Sequence, residues 1–335
     1  MNYTETGIFQ QQRVRIENLL PEIGIEQVRQ EILSGLFQKD PFISSKFFYD
    51  ETGSGLFEEI TKLEEYYLTR IEKILLEQIA PELMNRNSSL EIIEFGSGDS
   101  SKISILLNTV EKKNLANLTY IPVDFSRSAI EKSARQLSER YPGLTIDGYV
   151  ADFMHQIDLI PHSEKPRIIC LLGSTIGNFS YKDAKNLVSE LSKGILKNDS
   201  LLIGFDLVKP EEVLHKAYND SLGITEQFNK NILKVVNEII QSDFDRNVFD
   251  HLSFYNPENA RIEMYLVANK DTDIVSPFVE KPLQFGKGDS IHTEYSHKYT
   301  MHAIQEIVQG TGLSVKNTCL DHEKWYALVE FERVN

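Results

Sequence analysis

The stretch from Leu90 to Lys102, Leu-Glu-Ile-Ile-Glu-Phe-Gly-Ser-Gly-Asp-Ser-Ser-Lys, constrains the fold more than any other part of the chain. An apolar run of strand length ends at Gly96 and Gly98, and apolar residues at helical spacing follow from Ile103 onward. A strand, a tight turn and a helix in this order open a doubly wound α/β domain. The glycines let the backbone turn sharply and approach a ligand, while the helix N-terminus offers free N–H groups to an anionic group.

The glycine turn alone does not identify a ligand, because dinucleotide enzymes, methyltransferases and unrelated loops share it. Ser101 stands where the third glycine of a dinucleotide fingerprint belongs, and the acidic residue after the next strand, Asp124, comes late. Glu94 and Asp124 suit S-adenosylmethionine, which has an ammonium group and a ribose diol but no pyrophosphate. The turn therefore favours a methyltransferase over a nicotinamide-dependent oxidoreductase, which stays open as the alternative.

Composition limits the classes of partner. The chain has 335 residues, enough for one large or two ordinary domains, and a formal net charge of −15. That charge repels phosphate, which argues against non-specific binding to nucleic acid or to an anionic membrane. Two cysteines, a polar N-terminus and the lack of an apolar run approaching membrane length fit a soluble cytoplasmic protein. We expect a monomer that binds a small molecule, and neither nucleic acid nor a membrane.

Periodicity divides the chain into two kinds of structure. Strands alternate with helices over residues 90–208, which is typical of a parallel sheet covered on both faces. A strong amphipathic helix over residues 225–240 follows, and two extended runs then flank the turn Asn256–Asn259. The α/β pattern returns near Met301. Before the sheet, a helix begins near Thr69 and is predicted to place Ile71, Ile74, Leu75 and Ile79 on one apolar face.

These patterns predict one α/β domain over residues 70–208 and 298–335. They predict a second α+β lobe over residues 13–69 and 209–297, with a loose arm up to about Gln12.

Predicted strand ends carry the candidate ligand-binding residues. In an open α/β sheet, ligands bind beyond the carboxyl ends of the strands. Asp124 suits the two hydroxyl groups of a ribose, whereas Asp152 can accept from an adenine amino group while Phe153 packs on the ring. The alternative for either aspartate alone is that it caps the helix that follows it. Their occurrence at successive strand ends, together with Gly96 and the run Gly173–Asn178, favours a cofactor site.

Other kinds of chemistry find no support in the sequence. The eight histidines form no His-x-x-x-His pair and no carboxylate-rich metal spacing, so no metal is expected. The sequence also lacks a Gly-x-Ser-x-Gly elbow and a Gly-Lys-Ser/Thr phosphate loop. Acyl transfer and nucleotide hydrolysis are therefore not indicated.

An ordered series of motifs resembles the L-histidine Nα-methyltransferase family of ergothioneine biosynthesis. The motifs are Tyr49–Thr61, Glu65–Arg70, Glu94–Gly98, Gly173–Phe179, Ala217–Asp220, Phe228–Asn231 and Thr293–Lys298. One departure is Leu68, where the family pattern has proline. The resemblance covers nearly the whole chain and implies a Rossmann-like class I S-adenosylmethionine methyltransferase domain with a separate substrate-binding lobe. It also implies three methylations of the histidine α-amino group, giving the trimethylated betaine hercynine.

The resemblance also implies a set of functional residues. The cofactor residues would be Tyr49, Gly96, Lys102, Asp124, Asp152, Phe153 and Gly173. The substrate residues would be Tyr66, Asn178, Tyr218, Glu294 and Ser296, with Met264 in the pocket wall. Tyr49 and Asn178 would be catalytic: Asn178 and Tyr218 are expected to hold the α-carboxylate and amine, and Tyr49 and Tyr66 to line the amine and ring.

Glu294 and Ser296 carry the expected selectivity. Alternate residues of an extended segment share a face, so these two side chains can point together at the two ring nitrogens of imidazole. A different aromatic acceptor such as a tryptophan derivative remains an alternative within the same fold, and a non-enzymatic S-adenosylmethionine-binding module is a third.

Overall fold

The computed structural model of the protein describes residues 9–11, 13–20, 24–153, 156 and 164–334. These residues fall into two compact units. One unit, here called the sheet unit, takes the described residues within 9–20, 68–208 and 298–334. The other, here called the second unit, takes residues 24–67 and 209–297.

Strands and helices are numbered in chain order. The strands in the described residues are β1 Phe9–Gln11, β2 Val14–Asn18, β3 Leu90–Phe95, β4 Leu118–Asp124, β5 Thr145–Val150, β6 Arg167–Leu171, β7 Ser200–Asp206, β8 Phe249–Asn256, β9 Arg261–Ala268, β10 Thr272–Ile274, β11 Leu283–Phe285, β12 Ser290–His297, β13 Leu313–Leu320 and β14 Tyr326–Arg333. The helices are α1 Ile25–Leu36, α2 Glu51–Ile60, α3 Tyr67–Asn85, α4 Ser101–Asn108, α5 Arg127–Arg140, α6 Tyr181–Lys193, α7 Glu211–Tyr218, α8 Ile224–Ile240 and α9 Met301–Ile307. Short 3-10 turns lie at Ser45–Phe48, Lys112–Asn117 and Thr175–Asn178.

The sheet unit is built on nine strands in the order β1-β2-β5-β4-β3-β6-β7-β14-β13. Neighbouring strands from β2 to β7 are parallel, while β14 lies antiparallel between β7 and β13. The predicted parallel α/β fold is therefore confirmed. From β3 the chain adds β4 and β5 on one side, and then crosses to add β6 and β7 on the other side. The carboxyl ends of β3 and β6 therefore form the switch point where open α/β sheets bind ligands.

Burial and capping explain why these segments form. Every residue of β3, β6 and β7 is buried, as strands covered on both faces require. The hydroxyl of Ser126 accepts from the N–H of Ala129 and caps α5. Helix α6 begins in the same way at Ser180, whose hydroxyl accepts from the N–H of Asp183.

The N-terminal segment differs from its prediction. Phe9–Gln11 is not a loose arm but pairs antiparallel with β2, while residues 1–8 lie outside the described part. The sequence predicts residues 13–69 to lie in the second lobe, yet Val14–Asn18 pairs parallel with β5 and belongs to the sheet unit. The physical reason is the exposed edge of β5, whose unpaired N–H and C=O groups β2 satisfies.

The second unit combines helices with small antiparallel sheets. A three-stranded sheet has the order β12-β9-β8, and β10 pairs with β11. The hairpin of β8 and β9 confirms the turn predicted around residues 256–259. Helix α8 packs on α1, α2 and the turn Ser45–Phe48, where the rings of Phe48 and Phe228 stack at 4.5 Å.

No helix in the described part of the chain is long and apolar enough to cross a membrane.

Candidate functional site

The glycine turn after β3 is joined to the end of β4 by Asp124. Gly96 and Gly98 have φ angles of 67° and 48°, the left-handed region that favours glycine. The N–H of Gly98 donates to one Asp124 oxygen at 3.0 Å, and the N–H of Ser126 donates to the other at 2.9 Å. Burial raises the pKa of Asp124, and these backbone hydrogen bonds oppose that rise. Each oxygen keeps further lone-pair capacity, so the carboxylate is positioned to accept from a ligand.

A buried carboxylate that sequence reasoning missed, Glu72 of α3, lies at the end of β6. Its side chain is fully buried and accepts from the N–H of Gly173 with both oxygens, at 2.7 and 2.9 Å. It also contacts the Lys102 ammonium at 2.9 Å and accepts from the Tyr326 hydroxyl at 2.7 Å. Two of the predicted cofactor residues, Lys102 and Gly173, are therefore held by one residue.

Gly173 leaves room for the Lys102 side chain. Its φ angle is 77°, and a Cβ atom placed on it would lie 2.6 Å from the Lys102 Nζ. The ammonium thus lies against the backbone at the carboxyl end of β6. Burial opposes the charge of Lys102, but the attraction of Glu72, with smaller contributions from Glu94 and Asp99, raises its pKa.

Glu94, at the end of β3, is buried rather than open to a ligand. Only 2% of the residue is exposed, and its carboxyl accepts from the Tyr120 hydroxyl at 2.6 Å. Burial raises the pKa of Glu94 to about 8, against the opposing effects of the Tyr120 hydrogen bond and Lys102. The suggestion that Glu94 contacts the ligand directly is not supported by this burial.

Asp152 and Phe153, which follow β5, differ in how deeply their side chains are buried. Asp152 is half-buried, and its N–H donates to the side chain of Gln156 at 2.7 Å. The Phe153 ring is only 8% exposed and packs against Phe95 and Phe179, at 5.6 and 6.3 Å between centroids. Phe125, directly after Asp124 at the end of β4, carries an exposed ring instead.

Asn178 ends the short 3-10 turn that follows Gly173 and is half-buried. Two hydrogen bonds fix this turn. The Ser174 hydroxyl accepts from the N–H of Asp206 at 3.2 Å, and the Tyr299 hydroxyl donates to the carbonyl of Ile176 at 3.2 Å. The backbone leading to Asn178 is therefore tied to the end of β7 and to the segment that precedes α9.

The second unit brings together most of the predicted substrate residues. Glu294 of β12 lies opposite Met264 of β9, and Ser296 lies opposite Ile262 with no register shift between the two pairs. Glu294, Ser296 and Met264 consequently share one face of the sheet. The Ser296 hydroxyl is 2.8 Å from the hydroxyl of Tyr218, the last residue of α7.

Aromatic rings connect Tyr218 to the other predicted tyrosines of this unit. Tyr49 packs edge-on against Phe57 at 5.8 Å between centroids, and Phe57 against Tyr66 at 6.3 Å. Tyr66 in turn packs edge-on against Tyr218 at 6.3 Å. The three tyrosines therefore belong to one continuous aromatic row.

A buried polar network supports the face that carries Glu294. The side-chain amide of Asn229 lies 2.9 Å from Nδ1 of His251, and its oxygen accepts from the Thr293 hydroxyl at 2.7 Å. Because the Asn229 amide is placed to donate to Nδ1, the proton of the neutral ring lies on Nε2, which donates to the carbonyl of Tyr218 at 3.0 Å. Burial lowers the pKa of His251, which keeps the ring neutral. In the sequence Asn229 stands out only as part of the motif Phe228–Asn231, and the structure gives it this supporting role.

A parallel sheet with an antiparallel β14 beside β7, a glycine turn after β3 and an acidic residue at the end of β4 is typical of class I S-adenosylmethionine-dependent methyltransferases. No cluster of three or more potential metal-ligating side chains occurs among the residues described. Residues 28–333 match the family described as histidine-specific, S-adenosylmethionine-dependent methyltransferases. The chain belongs to that family.

Named relatives agree with this family. The chain is 34% identical over 281 residues to the histidine N-alpha-methyltransferase of Mycolicibacterium smegmatis, covering 84% of this chain and 87% of that protein. It is 33% identical over 302 residues to the protein of the same name from Mycobacterium tuberculosis, covering 90% and 94%. It is also 31% identical over 279 residues to ergothioneine biosynthesis protein 1 of Schizosaccharomyces pombe, covering 80% of this chain but 36% of that longer protein.

Proposed function

We propose that the protein transfers methyl groups from S-adenosylmethionine to the α-amino nitrogen of L-histidine, three times in succession, and so forms hercynine for ergothioneine biosynthesis. The match of residues 28–333 to the histidine-specific family is the observation that supports this proposal most. The position of Glu294, Ser296 and Met264 on one sheet face gives that specificity a physical basis.

The residues at the strand ends fit the cofactor. Asp124, held by two backbone N–H groups, would accept from the ribose hydroxyls, and Asp152 from the adenine amino group. Lys102 and the backbone at Gly96 and Gly173 would receive the methionine end, because a lysine ammonium beside glycine suits a carboxylate. Phe153, which follows β5 directly after Asp152, would pack on the adenine ring. When bound, the cofactor supplies an electrophilic methyl group on a sulfonium.

The second unit would recognise the amino acid. Glu294 offers an acceptor and Ser296 a hydroxyl that can donate or accept, which matches the two nitrogens of imidazole. Tyr218 would hold the amine and carboxylate end, with Tyr49 and Tyr66 lining the amine and the ring. In the sheet unit, Asn178 is proposed to contact the polar end of the substrate.

Catalysis on this proposal needs orientation more than a strong base. An α-amino group has a pKa of about 8, so reaching the free amine at neutral pH costs only about 1–2 kcal/mol. Aligning the amine with the reacting carbon contributes roughly 7–11 kcal/mol in favourable cases. The tyrosines and Asn178 would therefore act by holding the amine in line, and Tyr49 and Asn178 are the proposed catalytic residues.

The test is a competition among acceptors. The protein is incubated with S-adenosylmethionine and each of the 20 amino acids, and products are followed by mass for one, two or three added methyl groups. Histidine alone should be trimethylated. Preferential methylation of tryptophan, or of any other amino acid, would overturn the proposed acceptor. Calorimetric binding of NAD instead of S-adenosylmethionine would overturn the cofactor and the reaction class.

We further propose a cytoplasmic monomer. The free thiols of Cys170 and Cys319 support a reducing compartment. Light scattering on the purified protein tests the monomer: a mass near 38.4 kDa is expected.

A further inference from the structure

We propose that Glu72 is a positioning residue that sets the affinity for the methionine end of S-adenosylmethionine, by holding Lys102 and Gly173 in place. This inference rests on the proposed function. Glu72 is a carboxylate with no exposed surface, and it receives the Gly173 N–H, the Lys102 ammonium and the Tyr326 hydroxyl at 2.7–2.9 Å.

The fold makes space for this carboxylate. A Cβ atom on Gly204, in β7 between β6 and β14, would lie 2.2 Å from a Glu72 oxygen and 2.4 Å from the Tyr326 hydroxyl. Glycine inside a strand weakens the strand and marks a close approach by another group. Gly204 is therefore required for Glu72 to pass over the sheet and reach the end of β6.

Holding Lys102 in this way has a specific consequence for ligands. An ammonium group has three N–H donors, and only one is needed for the Glu72 contact. S-adenosylmethionine carries a single anionic group, the carboxylate of its methionine end. Glu72 fixes the Lys102 ammonium against Gly173 at the end of β6. A ligand that accepts from this ammonium therefore does not have to pay the entropic cost of ordering a mobile lysine side chain.

The adenosine end depends on different contacts. Asp124 is held by the backbone of Gly98 and Ser126, and no hydrogen bond joins it to Glu72. Loss of the Glu72 charge should therefore weaken ligands that carry the amino-acid end and spare ligands that lack it. A purely structural Glu72 would instead affect both kinds of ligand equally.

The experiment compares two ligands by calorimetry. S-adenosylhomocysteine has the amino-acid end, whereas 5′-methylthioadenosine keeps the adenosine and the thioether but lacks it. Glu72→Gln preserves the size of the side chain and removes its charge. We expect affinity for S-adenosylhomocysteine to fall about tenfold or more, the loss of one charge-assisted contact, and affinity for 5′-methylthioadenosine to change less than about twofold.

A buried ion pair elsewhere in the sheet unit gives a matched control. Asp199 pairs with Arg167 at 2.5 Å at the amino ends of β6 and β7, the opposite edge of the sheet from the proposed ligand. Asp199→Asn should lower the melting temperature yet leave the ratio of the two affinities at its wild-type value. If Glu72→Gln does not fold, Tyr326→Phe removes a single hydrogen bond to Glu72 and should shift the ratio in the same direction by a smaller factor.

The outcomes are distinguishable. An unchanged ratio in folded Glu72→Gln, whether both affinities fall together or neither falls, overturns the positioning role and leaves the proposed function standing. Wild-type protein that binds neither ligand overturns the proposed function, and the role of Glu72 with it.

Discussion

The hydroxyl groups of Tyr218 and Ser296 lie 2.8 Å apart, although 78 residues separate them in the chain. Tyr218 is the last residue of α7, and Ser296 lies in β12, two residues after Glu294. The bond links the residue proposed for the amine end of histidine to a residue proposed for its ring. The distance between these two recognition elements is therefore set by the fold of the second unit, and a substrate of different length should fit less well.

Glu294 is predicted to determine the preference for histidine. Glu294→Ala should lower kcat/KM for histidine by several orders of magnitude, because a site built to hydrogen-bond a substrate group discriminates by about 10⁴–10⁵. Adding Met264→Val shortens the side chain opposite Glu294 and so widens the proposed pocket, which should raise activity on tryptophan relative to histidine. The measurement is kcat/KM for both amino acids in wild type, single and double variants, with cofactor affinity as control. A Glu294→Ala enzyme that still prefers histidine to the wild-type extent would refute the imidazole assignment.

Asp124 is predicted to bind the ribose. Asp124→Ala should weaken S-adenosylmethionine strongly, since a hydrogen bond to a charged acceptor contributes about 1.5–3 kcal/mol. Asp147, half-buried in the middle of β5 and away from the strand ends, provides a matched control as Asp147→Ala. Calorimetry measures the affinity of both folded variants for S-adenosylmethionine, and Asp147→Ala should bind it as wild type does. Equal affinities in Asp124→Ala and wild type would show that Asp124 does not bind the ribose.

Local patterns in the sequence were sufficient for the centre of the sheet unit. The run from Leu90 to Asn108 forms β3, the glycine turn and α4 as predicted, because burial on both faces and glycine geometry are local requirements. Aspartates at successive strand ends share an edge because parallel strands end together. Glu294 and Ser296 lie on one face for an equally local reason, the period of two along a strand.

Features that depend on distant partners were missed. The predicted apolar face of α3 included Ile74, which is 48% exposed, whereas Glu72 is buried beside Leu75. A lone glutamate in a helix suggests a solvated position, and its partner Gly173 lies 101 residues away in the chain. The register shift between His292 and Glu294 is likewise set by pairing with β9, and it turns Thr293 toward Asn229.

Glu94 is predicted to make stability depend on pH. Its pKa is raised to about 8 in the folded protein, so between about pH 5 and pH 8 the folded state binds more protons than the unfolded state. This group therefore lowers the free energy of unfolding as pH rises through that window, by up to about 1.4 kcal/mol per unit. Glu94→Gln keeps an acceptor for Tyr120 and removes the titration. Urea unfolding at pH 5.5 and 7.5 should reveal a steeper decline in wild type than in the variant, and parallel declines would contradict the prediction.

Asn229 is predicted to stabilise the substrate-binding face, and its neighbour on α8, Asn231, supplies the control. Asn229→Ala takes the amide donor away from His251 Nδ1 and from the carbonyl of Tyr265, at about 1–3 kcal/mol for each buried group left unsatisfied, whereas the Thr293 hydroxyl keeps its bond to the carbonyl of Met264. Asn231→Ala removes one hydrogen bond to Asp50, so its effect on the free energy of unfolding should be smaller.

The two asparagine variants should also differ in catalysis. His251 holds the carbonyl of Tyr218, so Asn229→Ala should raise KM for histidine while cofactor affinity stays near wild type. Urea unfolding and steady-state kinetics on both variants measure these effects. Equal losses of stability, or an unchanged KM in Asn229→Ala, would mean that the His251 network does not position Tyr218.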